Sequence, residues 1–110
     1  LVPELPAGAV VMTWTVDVRC SGDGRRGWTC FAAIRARDEL VSEHEIRVAP
    51  GDLARLAPAA ADPTELVERS MAFLLEREPP TSILRTFDLT VIGRFFPEYE
   101  TTIRERVHGS

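Results

Sequence analysis

From Val10 to Arg19 the chain alternates with a period of two. Val10, Met12, Trp14, Val16 and Val18 fall on one side, and Val11, Thr13, Thr15, Asp17 and Arg19 on the other. A pleated strand is the backbone form that puts residues i, i+2 and i+4 on one face, so this segment is constrained to a strand with one buried face. Such a strand is not stable alone and needs neighbours. The following sequence offers two. Ser21-Gly22-Asp23-Gly24-Arg25-Arg26-Gly27 has turn composition, and a strand over about Trp28–Ala36 then groups Trp28, Cys30, Ala32, Ile34 and Ala36. Arg37-Asp38-Glu39 makes a polar turn into a third strand, about Leu40–Val48. There Leu40, Ser42, His44, Ile46 and Val48 share a face, and Glu43, Glu45 and Arg47 point away. Connections this short join antiparallel neighbours. Residues 10–48 are therefore expected to form a three-stranded antiparallel meander, preceded by an irregular lead-in over 1–9 that contains Pro3, Pro6 and Gly8.

Pro50-Gly51 ends the sheet, and Asp52 can cap a single turn over Leu53–Ala57. Asp62-Pro63-Thr64-Glu65 combines an N-cap residue, a proline at the first helical position and an acid three residues after the cap. The helix it opens should run to about Glu76–Glu78, where Pro79-Pro80 stops it. Leu66, Val67, Ser70, Phe73, Leu74 and Arg77 follow helical spacing within it. Ile83, Leu84 and Phe87 suit a short turn or extended piece, and Asp88 can cap a helix bearing Leu89, Ile92, Phe95 and Phe96. Tyr99, Ile103 and Val107 recur every four residues as a last helical stripe. The expected architecture is one α+β domain over 10–107: a meander followed by two or three helices, over 62–107, packed on one face.

A chain of 110 residues fits one such core. Its 13 cations against 17 acids argue against a general nucleic-acid binder, which carries a basic stripe. All 13 cations are Arg, and Lys, Asn and Gln are absent, a pattern of GC-rich coding rather than of phosphate recognition. No apolar run approaches the ~20 residues of a membrane span. No basic start leads into an apolar stretch, so the expected location is the cytoplasm, with Cys20 and Cys30 reduced.

Pairing residue 36 with 40 would set His44 opposite Ala32, and Cys30 opposite Ile46 and diagonal to His44, ~7–8 Å away. Cys30, His44 and Ser42 are thus the candidates for a catalytic group or the floor of a ligand pocket. A Cys–His dyad also needs a third group to orient the ring, and the inner face offers none. Glu43 and Glu45 point away from His44, so no metal or other cofactor is expected. The glycine-rich loop lacks the Lys, the Ser or Thr and the following helix of a phosphate cradle, though Arg25 and Arg26 at its tip can contact an anion. The cysteines admit two registers. With 20 facing 28 they stay apart and Trp28 stays in the sheet on a shorter turn; with 20 facing 30 they can bridge. The shorter turn favours free thiols.

Four of the six Phe and Tyr residues lie in the last quarter, in Phe87-Asp88-Leu89 and Phe95-Phe96-Pro97-Glu98-Tyr99. Aromatics are enriched at interface cores, so Phe95, Phe96, Tyr99, Ile103 and Val107 are the candidate partner-binding residues. The stretch Leu74-Leu75-Glu76-Arg77-Glu78-Pro79, with Ile83-Leu84-Arg85, Phe87-Asp88-Leu89 and Phe95-Phe96-Pro97, resembles C-terminal segments of small uncharacterised proteins of high-GC actinobacteria. That resemblance covers a third of the chain and implies no activity. A meander followed by a helix also resembles the HicB-like antitoxin scaffold, but the second strand here lacks that family's D-x-P-G-C-type turn. The leading expectation is a non-enzymatic protein–protein interaction module, pairing with itself as a homodimer or with another protein. The rivals are a ligand-binding protein or enzyme with a pocket between sheet and helices, and an antitoxin-like nucleic-acid regulator.

Overall fold

The computed structural model describes residues 14–107. The lead-in over 1–9 and the first positions of the expected first strand, 10–13, lie outside them. Strand β1 (Thr15–Asp23) pairs antiparallel with β2 (Gly27–Ala36), and β2 with β3 (Glu39–Val48), so the expected meander is present. Helices α1 (Pro50–Leu56) and α2 (Thr64–Leu75) follow, then a helical turn at Pro80–Ser82, strand β4 (Thr86–Asp88), and helices α3 (Val91–Phe95) and α4 (Tyr99–Val107). Among the described residues the sheet has four strands in the order β1-β2-β3-β4, with β4 parallel to β3. The fourth strand corrects the expected three. It is held by Glu45 N–H on the Arg85 carbonyl at 2.7 Å and Leu89 N–H on the Arg47 carbonyl at 2.9 Å. Asp88, expected to cap a helix, sits in this strand and pairs with Arg47 at 3.2 Å.

The hairpins show how local chemistry sets register. Cys20 faces Cys30 across β1 and β2, and the two are joined as a disulfide, with Cα atoms 4.0 Å apart. This overturns the free-thiol expectation. The longer turn is favoured because Asp23 closes it: its carboxylate accepts the N–H groups of Arg25 and Arg26 at 2.9 and 2.8 Å. Those bonds hold the Asp23 carboxyl below its ordinary range. Gly22 (φ 133°) and Gly27 (φ 102°) supply backbone angles that L side chains rarely adopt. A Cβ on Gly22 would strike the Gly27 carbonyl oxygen, and one on Gly27 would come within 2.8 Å of the Val48 oxygen. Trp28 nevertheless keeps its place in the sheet, opposite Gly22.

The second hairpin turns on two residues, Arg37 (φ 54°) and Asp38 (φ 69°), the signature of a type I′ turn. Its register matches 36 with 39 at the turn and 34 with 42 beyond it, which leaves Val41 as the extra residue of a bulge. The bulge overturns the expected facing of Leu40. Leu40 pairs with Arg35 on the outer face and is 48% exposed. Beyond the bulge the expected pairing holds: Ala32 faces His44 and Cys30 faces Ile46.

Helix α2 packs on β1 and β2 and closes one side of the sheet. Asp62 sits one residue outside the cap position, and its carboxylate accepts the Thr64 N–H at 2.8 Å. Leu66, Val67, Ser70, Phe73 and Leu74 are buried, as their spacing requires. Phe73 is the centre of the helical layer. Its ring meets Tyr99 edge-on at 5.3 Å and Phe96 at 5.9 Å, and the Arg77 guanidinium lies 3.5 Å above it. The Tyr99 hydroxyl and Ser70 Oγ are 2.6 Å apart, and Ser70 also donates to the Leu66 carbonyl, so the buried polar groups are satisfied. Burial pushes the Tyr99 phenol well above its ordinary value, and the Ser70 contact offsets part of the rise.

Charge clasps α2 to α4 at the surface. Arg106 reaches both Glu76 oxygens at 2.8 and 2.9 Å, and Arg77 reaches Glu98 at 3.2 Å. Arg106, with Arg77 adding to it, holds the Glu76 carboxyl below its ordinary 4.5. The unfolded chain regains the ordinary value and so binds more protons near that pH. The stabilisation is complete above about pH 4.5 and is lost as pH falls through the lower folded value. Glu76→Gln should therefore narrow the stability difference between pH 7 and pH 3 in urea titrations. The change should stay below about 1 kcal/mol, because the pair is half exposed.

Candidate functional site

His44 stands on β3 with its side chain 3% exposed. Its Nδ1 lies 2.7 Å from the Leu84 carbonyl oxygen, and its Nε2 lies 2.9 Å from Ser42 Oγ. A carbonyl only accepts, so Nδ1 carries a proton, and in the neutral ring Nε2 then accepts from the Ser42 hydroxyl. Both ring nitrogens are engaged within the protein. The relay ties β3 to the segment that leads into β4, which positions Leu84.

Cys30 is fully buried and bonded to Cys20, so it has no thiol for His44 to activate. Around them Ala32, Ile34, Ile46 and Val48 are buried against α2 and its neighbours. These side chains form the core beside Cys30, and an open groove of about 970 Å³ has Val18, Ala32, His44 and Glu68 among its lining. Among the described residues no group of three His, Cys, Asp or Glu side chains could hold a metal ion, and no helix is long and apolar enough to cross a membrane.

Arg25 and Arg26 are exposed at the β1–β2 turn, as read from the sequence, with their backbone N–H groups spent on Asp23. The outer sheet face places Arg19, Phe31, Glu45 and Thr86 in one row across the strands. Phe31 is 54% exposed there. Of the cations near it, Arg35 is held by Asp17 at 3.6 Å and Arg47 by Asp88, Arg19 directly opposite has no ion pair among the described residues, and the face mixes both signs. A single aromatic among charges of both signs makes a poor platform for stacked bases.

The C-terminal aromatics separate into two groups. Tyr99 and Ile103 are fully buried, and Phe96 and Val107 pack half-buried against the core. Two of the five candidate partner residues therefore belong to the core and two pack against it, because α4 lies against α2 and Phe73 meets Phe96 and Tyr99. Phe95 alone stands out, 67% exposed at the end of α3. It lies on the rim of an open groove of about 510 Å³ whose walls include Leu74, Ile83, Leu84, Phe87, Ile92 and Phe96. Leu84 is itself 51% exposed. An apolar groove with an aromatic projecting beside it offers one chemical action, the desolvation of another apolar surface. Leu84 and Glu78, which also lines the groove, went unmarked in the sequence, because the walls come from four short elements with no shared period.

No family model matches the chain, and neither a curated protein nor a solved structure is found to be similar to it.

Proposed function

We propose that this protein is a non-enzymatic interaction module that pairs with a second copy of itself, Phe95 of each copy entering the groove of the other. The observation that carries the reading is the exposure of Phe95 beside an apolar groove, in a segment whose other aromatics are buried or half-buried. One patch then supplies both a projecting side chain and a receiving surface, which is what a two-fold interface requires. Aromatic anchors seated in pockets dominate such contacts. The hydrogen bonding of His44 and the bridging of Cys30 support the non-enzymatic part of the reading.

Sedimentation equilibrium over a range from micromolar to millimolar protein tests it. The native chain should associate, and Phe95→Asp should sediment as a monomer with an unchanged circular dichroism spectrum. A native chain that remains monomeric throughout, or a Phe95→Asp variant that associates like the native chain, overturns the reading.

A further inference from the structure

We propose that the pairing is fixed in orientation by a reciprocal ion pair, Glu78 of one copy with Arg94 of the other, repeated by the two-fold axis. The inference rests on the self-association through the groove proposed above, and names the charges that select the partner. Glu78 lines the groove and is half-buried, yet its side chain has no hydrogen bond or ion pair among the described residues. Its neighbours differ: Glu76 is held by Arg106 and Arg77, and Glu98 by Arg77. A half-buried acid on the wall of an apolar groove, without a cation, offers a charge that a docking partner can pair.

Arg94 is the complementary case. It directly precedes Phe95 in α3, is exposed, and also has no partner among the described residues. When Phe95 enters the groove of the second copy, the adjoining Arg94 approaches that groove, whose lining includes Glu78. Two-fold symmetry returns the favour, so one docking event satisfies four charges. A patch bearing an unpaired acid and an unpaired base complements itself, which favours a second copy of this chain over a partner of uniform charge. Arg85, beside the exposed Leu84, also has no ion pair among the described residues and is the competing assignment.

Arg94→Glu makes both positions acidic, and Glu78→Arg makes both basic. Each variant alone should self-associate at least roughly tenfold more weakly than the native chain, because like charges then face each other twice. An equimolar mixture should form a heterodimer, read by native mass spectrometry with one variant isotopically labelled. Circular dichroism checks that both remain folded, and Arg85→Glu should weaken association less than Arg94→Glu. The charge assignment is overturned if both variants associate like the native chain, if the mixture forms no heterodimer, or if Arg85→Glu weakens association as strongly. In those cases Phe95→Asp still abolishing association leaves the groove reading standing. A native chain that is monomeric at millimolar concentration overturns both.

Discussion

Phe73→Ala should cost about 3–5 kcal/mol, the range for truncating a buried aromatic. Domains of this size carry only about 5–15 kcal/mol in total, so the variant should sit near the edge of unfolding. The expectation comes from what the ring holds. It is fully buried, and Phe96 and Tyr99 meet it edge-on while Arg77 covers it. Removing it leaves a cavity and withdraws the surface on which α4 seats. Ile103→Ala, fully buried on α4, should cost about 2–5 kcal/mol. Phe95→Ala should cost less than about 1 kcal/mol, because the ring is mostly in water. Urea titrations followed by tryptophan fluorescence and by far-ultraviolet circular dichroism would check this. Trp14 and Trp28 pack half-buried at the sheet, whereas the dichroism follows the helices. Coincident, early transitions by both probes are expected for Phe73→Ala. A loss similar to that of Phe95→Ala would mean that the helical layer is not anchored on this residue.

The contrast between Phe73 and Phe95 also explains what was legible in the sequence. Period two in β1 to β3 and helical spacing in α2 are set by burial of one face, so they show in the residues themselves. The opposition of Ala32 to His44 and of Cys30 to Ile46 follows from that pattern and a short turn. Strand β4 was not legible, because three residues carry no period and its partner β3 lies far away in sequence. Leu40 was misplaced because the bulge at Val41 reverses its facing without breaking the alternation around it. Tyr99 and Ile103 were marked correctly as a stripe, but a stripe fits a core and an interface equally well. Only the packing of α4 on α2 decides between them. The groove was illegible for a related reason: its walls converge from segments that share no repeat.

The cysteines present the sharpest case and the second large effect. Registers pairing residue 20 with 28 or with 30 differ by a slip of two, which leaves every side chain on its own face. Hydrophobic pattern cannot separate them, and the Asp23 turn does. Bridging residues 20 and 30 closes a short loop, which by chain entropy stabilises the fold by about 2.5–3 kcal/mol. Reduction, or the double change Cys20→Ala with Cys30→Ala, should therefore lower the melting temperature by about 10–20 °C. The loss should begin at one place. Among the described residues strand β1 is an edge strand, paired only with β2, and its inner residues Val16, Val18 and Cys20 are half-buried while Cys30, Ala32 and Ile34 are fully buried. The bridge fastens the least anchored strand to the best anchored one. On reduction, amide exchange should accelerate in β1 well before it does in β2 and β3, since opening the edge exposes little else. Such a bridge persists in oxidising surroundings, whereas the cytoplasmic expectation went together with reduced cysteines. Alkylation of the denatured, unreduced chain decides the premise: no adduct is expected, and two adducts would restore the register that pairs residue 20 with 28.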